Sequence, residues 1–260
     1  MKREYSYGSV FIVNMIFAIL SGLASYVIMT LLNLNESNFL VGFIRGIITL
    51  FSSFLITAGL INNRTGGVGD YLNQVSRING KVIIINLLVL LISTAITYLL
   101  GTGAILSVIS KNPLSLLSAT SVGYLATIVF DLLTTYTNHI LVDPRNKNQP
   151  ISESIKDIFS TSIKLLGKTI TVYLLYILIP VAILAGLLTI LFLATDDPMT
   201  TLGIGVIVGG LFFIYFLIIG PIIRARIADN YLDYKGDLKR EDDIFTEERY
   251  DNNHTITRNV

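Results

Sequence analysis

The chain has 260 residues, 52% of them hydrophobic and only 14% charged, with a mean hydropathy of +0.68. Soluble domains carry roughly a quarter charged residues, so there is too little charge here to coat a soluble core of this size, and the composition points to an all-α polytopic membrane protein. A net charge of +1 gives no reason to expect nucleic acid or another polyanion as partner, and the lack of cysteine excludes disulfides, thiolate nucleophiles and cysteine metal sites.

In chain order, the opening "MKREYSYGSVFIVNMIFAILSGLASY" has the basic and then apolar order of a signal peptide. Its apolar run, however, continues to Leu32. That exceeds the roughly 7–15 apolar residues of a signal segment, so a retained first span over 9–32 is expected. A bilayer core needs about 20 apolar residues per helix, and five further segments qualify: 39–62, 82–110, 114–138, 169–194 and 202–226. Tight turns separate them at "NLNESN", "ISKNP" and "ATDDPM", the last two bringing a proline to the start of the next helix.

Lysine and arginine set the expected direction. Of 19 basic residues, 17 fall on one face, Lys111 falls on the other and Arg45 lies within a span. Both termini are therefore expected in the cytoplasm. The two longer cytoplasmic connections, "GDYLNQVSRINGK" and "PISESIKDIFSTSIKLLGK", repeat apolar residues at helical spacing and read as amphipathic helices at the membrane surface. Each ends in Gly-Lys, 87 residues apart, which reads as a weak tandem repeat in one membrane orientation. The membrane domain is expected over 1–230. Residues 231–260 are dense in mixed charge and read as a disordered cytoplasmic tail.

The spans carry polar seams. Asp131 interrupts the fourth, and helical spacing aligns it with Thr120, Tyr124 and Thr127 on one side and Thr134, Thr135 and Asn138 on the other. Span two aligns Arg45, Thr49, Ser52, Ser53 and Thr57; span three aligns Asn86, Ser93, Thr97 and Gly101; span one aligns Asn14, Ser21 and Ser25. Such faces belong inside a bundle, since hydroxyls and charges turned to lipid lack partners. They serve either as interhelical hydrogen bonds worth about 0.6 kcal/mol each or as the lining of a hydrated path, and the first is the expectation. Arg45 lies about 9 Å below the outer end of its helix and Asp131 about 25 Å below its own, which separates them. Arg45 can reach the outer interface, whereas Asp131 is expected to pair with Arg224, supported by the hydroxyls of Thr127 and Thr135.

Catalytic motifs are missing. "RTGGVGD" lacks the Lys-Ser/Thr of a phosphate-binding loop and reads as a flexible turn, and His139 reads as an interfacial residue. No catalytic, cofactor or metal site is assigned. Gly42 with Gly46, and Gly205 with Gly209, have the spacing of close helix crossings within the bundle or in a homodimer.

"TYTNHILVDPRNKNQPISESIKDIFSTSIKLLGK", followed by two spans and "GPIIRARIADNYLDYK", resembles a widespread bacterial family of six-helix integral membrane proteins. That family includes the membrane domain found beside some glycerophosphodiester phosphodiesterases. The resemblance covers about residues 40–235 and rests on Asp143, the Ser-rich amphipathic helix, and Pro221, Ala225 and Tyr231. It implies a six-span fold in a bacterial cytoplasmic membrane and no catalytic residues, because the soluble phosphodiesterase residues are not in this sequence. The functional expectation is a non-enzymatic accessory protein acting through membrane lipids or other membrane proteins, in envelope homeostasis or peptide tolerance. The rival is a transport protein, such as an exporter permease served by a separate ATPase.

Overall fold

The computed structural model describes the backbone of residues 3–36, 38–109, 125–193 and 198–256. It describes their side chains apart from those of 98–109, 198, 201, 202, 204 and 237–256. All regular structure among them is helical: α1 (Tyr7–Leu32), α2 (Phe39–Asn62), α3 (Val68–Leu72), a 3₁₀ turn (Asn73–Arg77) and α4 (Gly80–Ile109) come first. Then follow α5 (125–134), α6 (Thr137–Val142), α7 (Ile151–Lys164), α8 (Leu166–Tyr173), a widened turn (Leu174–Leu178), α9 (Ile179–Leu193) and α10 (Pro198–Ile256). Six stretches are long and apolar enough to cross a membrane: Tyr7–Leu32, Phe39–Asn62, Gly80–Thr97, Leu125–Val142, Leu166–Leu193 and Gly205–Gly236. The chain is an all-α, multi-pass integral membrane protein. The expected turn at 111–113, Thr120, Tyr124 and the side chain position of Gly101 lie outside the described residues, as do residues 195–197 of the turn at 195–200.

Local chemistry fixes the boundaries. Asn33 closes α1 in the left-handed conformation (φ 51°), where its N–H reaches the Met29 carbonyl; asparagine tolerates that conformation better than most residues. Asn38 opens α2 by accepting a hydrogen bond from the Leu40 N–H at 2.9 Å. Two prolines sit within the later spans. Pro180 has no N–H to offer the carbonyl of Tyr176 four residues back, and the helix widens there, the N–H of Ile179 reaching Leu174 instead. The Tyr215 hydroxyl from α10 donates to the Tyr176 carbonyl at 2.7 Å. In a bilayer, where no water can serve a freed carbonyl, this bond replaces the one proline removes.

The bundle is densest at the end where residues 3–5 meet 229–233. There Phe54, Ile85, Tyr136, Ile140, Ile158 and Tyr231 form one core with at most 2% of their surfaces exposed. Glycine admits close approach between helices at Gly59, where a methyl would enter the Tyr71 ring, and at Gly46, where one would strike the Leu90 side chain. Gly42, Gly205 and Gly209 meet no described atom where a Cβ would stand, so among the described residues Gly46 is the one of the four glycines at a close crossing. α9 buries none of its side chains, and Leu187, Ile190, Ile207 and Phe213 are exposed. These apolar surfaces are what a lipid-facing wall requires.

The connections depart from the periodicity reading. The first expected amphipathic helix is two short turns, because Gly66 and Gly67 bend the chain back against α1 and the fully buried Tyr71 pins it there. The glycine-rich segment is accordingly a built turn. The Ser6 N–H donates to the Arg64 carbonyl at 2.8 Å and the Ser9 hydroxyl to the Gly66 carbonyl at 2.9 Å. The second is a full helix, α7, which buries Ile158 and leaves Phe159 and Ile163 exposed. Its two Gly-Lys counterparts differ in role. Lys81 donates to the carbonyls of Asn146, Lys147 and Gln149, whereas Lys168 is exposed. α10 runs helically through Ile256, and Tyr231 is buried in the core with Tyr234 packed against it. The packed unit therefore extends past residue 230 at least to Tyr234.

Candidate functional site

The polar seams converge on two cavities. Asn14 and Ser21 of α1 and Arg45, Thr49 and Ser52 of α2 line one of about 380 Å³. Ser53 and Thr57 of α2, Asn86 of α4, Asp131, Thr134 and Thr135 around α5, Asn138 and His139 of α6, Tyr173 of α8 and Arg224 of α10 line a second of about 330 Å³. Helical periodicity places Ser52 and Ser53 on adjoining faces of α2, so that one helix serves both cavities. Arg224 joins them: its Nη2 donates to Asn14 Oδ1 at 3.4 Å while its side chain borders the second cavity.

The second cavity has one well-satisfied wall. Asn86 Nδ2 donates to Asn138 Oδ1 at 3.0 Å, and Asn138 Nδ2 donates to Ser53 Oγ at 3.3 Å, tying α4, α6 and α2 together. Its charged groups are different. The expected ion pair between Asp131 and Arg224 does not form, although both border the same space. Among the described residues, each stands more than 4 Å from an opposite charge and the Asp131 carboxylate accepts no hydrogen bond. Thr134 and Thr135 cannot serve it, because their hydroxyls donate along their own helix, to the carbonyls of Phe130 and Asp131 at 2.8 and 2.7 Å. Thr127 does not line the cavity. Arg45 is held apart from Asp131, with Nη1 2.9 Å from Glu36 Oε1 and Nε donating to Ser25 Oγ at 2.7 Å.

His139 was expected at an interface and is instead buried, with 6% of its surface exposed. Its ring lies 5.3 Å from that of Tyr136 and 5.5 Å from that of Tyr231. A weak interaction with the Thr135 backbone aside, neither ring nitrogen has a hydrogen-bond partner. The helix break at residues 135–136 turns this residue inward, which a straight-helix projection cannot show.

No family model, curated protein or solved structure matches the chain. Its own contacts thus carry the functional reading. Among the described residues no three histidine, aspartate or glutamate side chains gather as metal ligands.

Next to the polar cavity lies an apolar groove of about 240 Å³ between α2 and α4, lined by Ile47, Phe51, Phe54, Val82, Ile83 and Leu87. Leu50 and Asn86 border both the cavity and the groove. A charged chamber beside an apolar groove, the two sharing Leu50 and Asn86 as wall residues, is suited to an amphipathic ligand.

A separate polar cluster locks the end of the bundle. Asp143, 4% exposed, accepts from the Tyr231 hydroxyl at 2.8 Å and from Arg145 Nη2 and Nε at 2.9 and 3.1 Å. Burial works to raise the Asp143 pKa, but the Arg145 and Tyr231 bonds outweigh it and hold the carboxyl below its ordinary value. Nearby, the Asp229 carboxylate accepts from the Tyr5 hydroxyl at 2.6 Å and pairs with Arg3 at 3.3 Å. Burial and that carboxylate push the Tyr5 hydroxyl well above the ordinary tyrosine range. The residues carrying the family resemblance, Asp143 and Tyr231, are thus direct partners, and Ala225 is buried alongside Val10 and Val13 of α1 in a second core.

Proposed function

We propose that this chain is a non-enzymatic accessory protein of a bacterial cytoplasmic membrane, with both termini cytoplasmic, that acts by holding a membrane lipid. One observation carries the reading: the polar cavity with unpaired Asp131 and Arg224 shares Leu50 and Asn86 with an apolar groove. An unpartnered charge in a span is costly and marks a functional site by default. A polar headgroup would answer those charges, and an acyl chain would fill the groove. The Asp143–Tyr231 bond supports membership of the six-helix family that the sequence resembles, because it gives two of the resembling residues a shared structural task.

A second reading, a transport protein, rests on the Asn14–Arg224 contact. That contact links a residue of one polar cavity to a residue of the other. In that case a separate ATPase would be expected as partner. Purification of the full chain in mild detergent, followed by lipid extraction and analysis of co-purifying proteins, separates the readings. The accessory reading expects one retained phospholipid per chain and no stoichiometric ATPase. A stoichiometric ATPase with no retained lipid would overturn it in favour of transport.

A further inference from the structure

We infer that the cavity between α2, α4, α6, α8 and α10 takes the headgroup of an aminophospholipid, with the phosphate on Arg224, the primary ammonium on Asp131 and an acyl chain in the α2–α4 groove. This rests on the lipid-holding reading above and adds the headgroup class. Asp131 and Arg224 have opposite charges yet make no ion pair, so a ligand that satisfies both must itself carry both. Arg224 has five N–H donors, and among the described residues its one hydrogen bond is the 3.4 Å bond to Asn14. It therefore retains a free fork suited to two phosphate oxygens. The Asp131 carboxylate can accept from the three N–H bonds of a primary ammonium; a glycerol headgroup offers it no cation.

A second, independent observation points into the same space. His139 lines the cavity at 6% exposure, and apart from a weak interaction with the Thr135 backbone its ring nitrogens lack a hydrogen-bond partner. A buried imidazole that is left unbonded by protein is costly, and a phosphate or ester oxygen would satisfy its N–H. The volume agrees as well. About 330 Å³ lies at the low end of small-molecule sites, enough for a headgroup and too little for a whole lipid. The remainder must lie against an apolar surface, and the groove that shares Leu50 and Asn86 with the cavity offers one.

The test uses the delipidated full chain in detergent, titrated separately with phosphatidylethanolamine, phosphatidylglycerol and soluble glycerophosphoethanolamine, with bound species counted by native mass spectrometry. The expected result is one phosphatidylethanolamine per chain, bound about tenfold or more tighter than phosphatidylglycerol. Asp131→Asn should abolish that preference, and Arg224→Gln should weaken both lipids. Should Arg224→Gln fail to fold, Arg224→Lys keeps the charge, loses the planar fork and should still weaken binding, as should Leu50→Trp at the junction. Equal binding of the two lipids, unchanged by Asp131→Asn, would overturn the aminophospholipid assignment while leaving the lipid-holding function intact. Glycerophosphoethanolamine binding as tightly as the lipid would show that the groove takes no part and would overturn the assignment too. One-to-one binding of neither lipid would overturn both this inference and the function on which it rests.

Discussion

Tyr231→Phe removes a single hydroxyl from the buried end of the bundle, and its cost can be worked from the contacts. The lost bond is a 2.8 Å donation to Asp143, a carboxylate with 4% of its surface exposed. Hydrogen bonds to charged groups are worth about 1.5–3 kcal/mol. The Arg145 side chain still donates twice, and the Arg145 N–H donates to Oδ1 at 3.1 Å, so the carboxylate is not stranded. That places the loss at the lower end, about 1.5 kcal/mol. Equilibrium unfolding of the purified chain in mixed micelles, with rising dodecyl sulfate, measures it. Asp143→Leu and the double variant complete a cycle whose coupling should be about 1 kcal/mol. A loss in Tyr231→Phe below about 0.5 kcal/mol, the range of ordinary surface changes, would refute the claim that this bond locks α10 to the 143–146 turn. The pH dependence provides a further check. Asp143 is depressed in the fold, so its contribution is complete above the ordinary carboxylate value of 3.8 and is lost as pH falls below it. Asp143→Asn should flatten that acid limb.

Other expected outcomes follow from the same geometry. Gly59→Ala should destabilise the chain by about 1–3 kcal/mol through collision with the Tyr71 ring, whereas Gly205→Ala and Gly209→Ala should stay within about 0.5 kcal/mol; melting of the three variants in one detergent compares them. Tyr215→Phe leaves the Tyr176 carbonyl bare beside Pro180 and should cost about 1 kcal/mol, measured by the same unfolding assay. Burial pushes the Tyr71 hydroxyl up to about 12, so its contribution is full below pH 10 and lost as pH rises through about 12, a limb that Tyr71→Phe should remove. Asp131→Asn and Asp131→Leu should both leave stability within about 0.5 kcal/mol, since the carboxylate bonds to no described side chain.

Much of this fold was legible because membrane spans announce themselves by composition. Runs of apolar residues placed six helices, Asn33 and Asn38 flank the turn between the first two, and Pro198 opens α10. The polar seams were legible too: helical spacing grouped Asn14 with Ser21, and Arg45 with Thr49 and Ser52, and both groups line one cavity, where interhelical hydrogen bonds were the expectation. What spacing could not supply was the interval between helices. Asp131 and Arg224 do face one space, yet whether two side chains bridge a cavity depends on interhelical distance, which no single-helix projection contains. His139 was misplaced for a related reason, because the break at 135–136 reorients α6 relative to α5. The close packing of Gly59 on Tyr71 was equally hidden, as neither residue belongs to a GxxxG pattern. The Tyr215–Tyr176 bond had a usable signal: a proline within a span implies a bare carbonyl four residues earlier, and a tyrosine on a neighbouring span is a natural donor.

The central claim is that a lipid occupies the junction of the polar cavity and the apolar groove, and photo-crosslinking in intact membranes tests it most directly. A photoreactive residue at Leu50, which borders both spaces, is compared with one at Ile207, 65% exposed on the lipid-facing side of α10. The account predicts a phospholipid adduct at position 50 strongly enriched in aminophospholipid relative to the adducts at position 207, which should mirror the bulk membrane. Adducts of identical lipid composition at the two positions, or no lipid adduct at position 50, would contradict it.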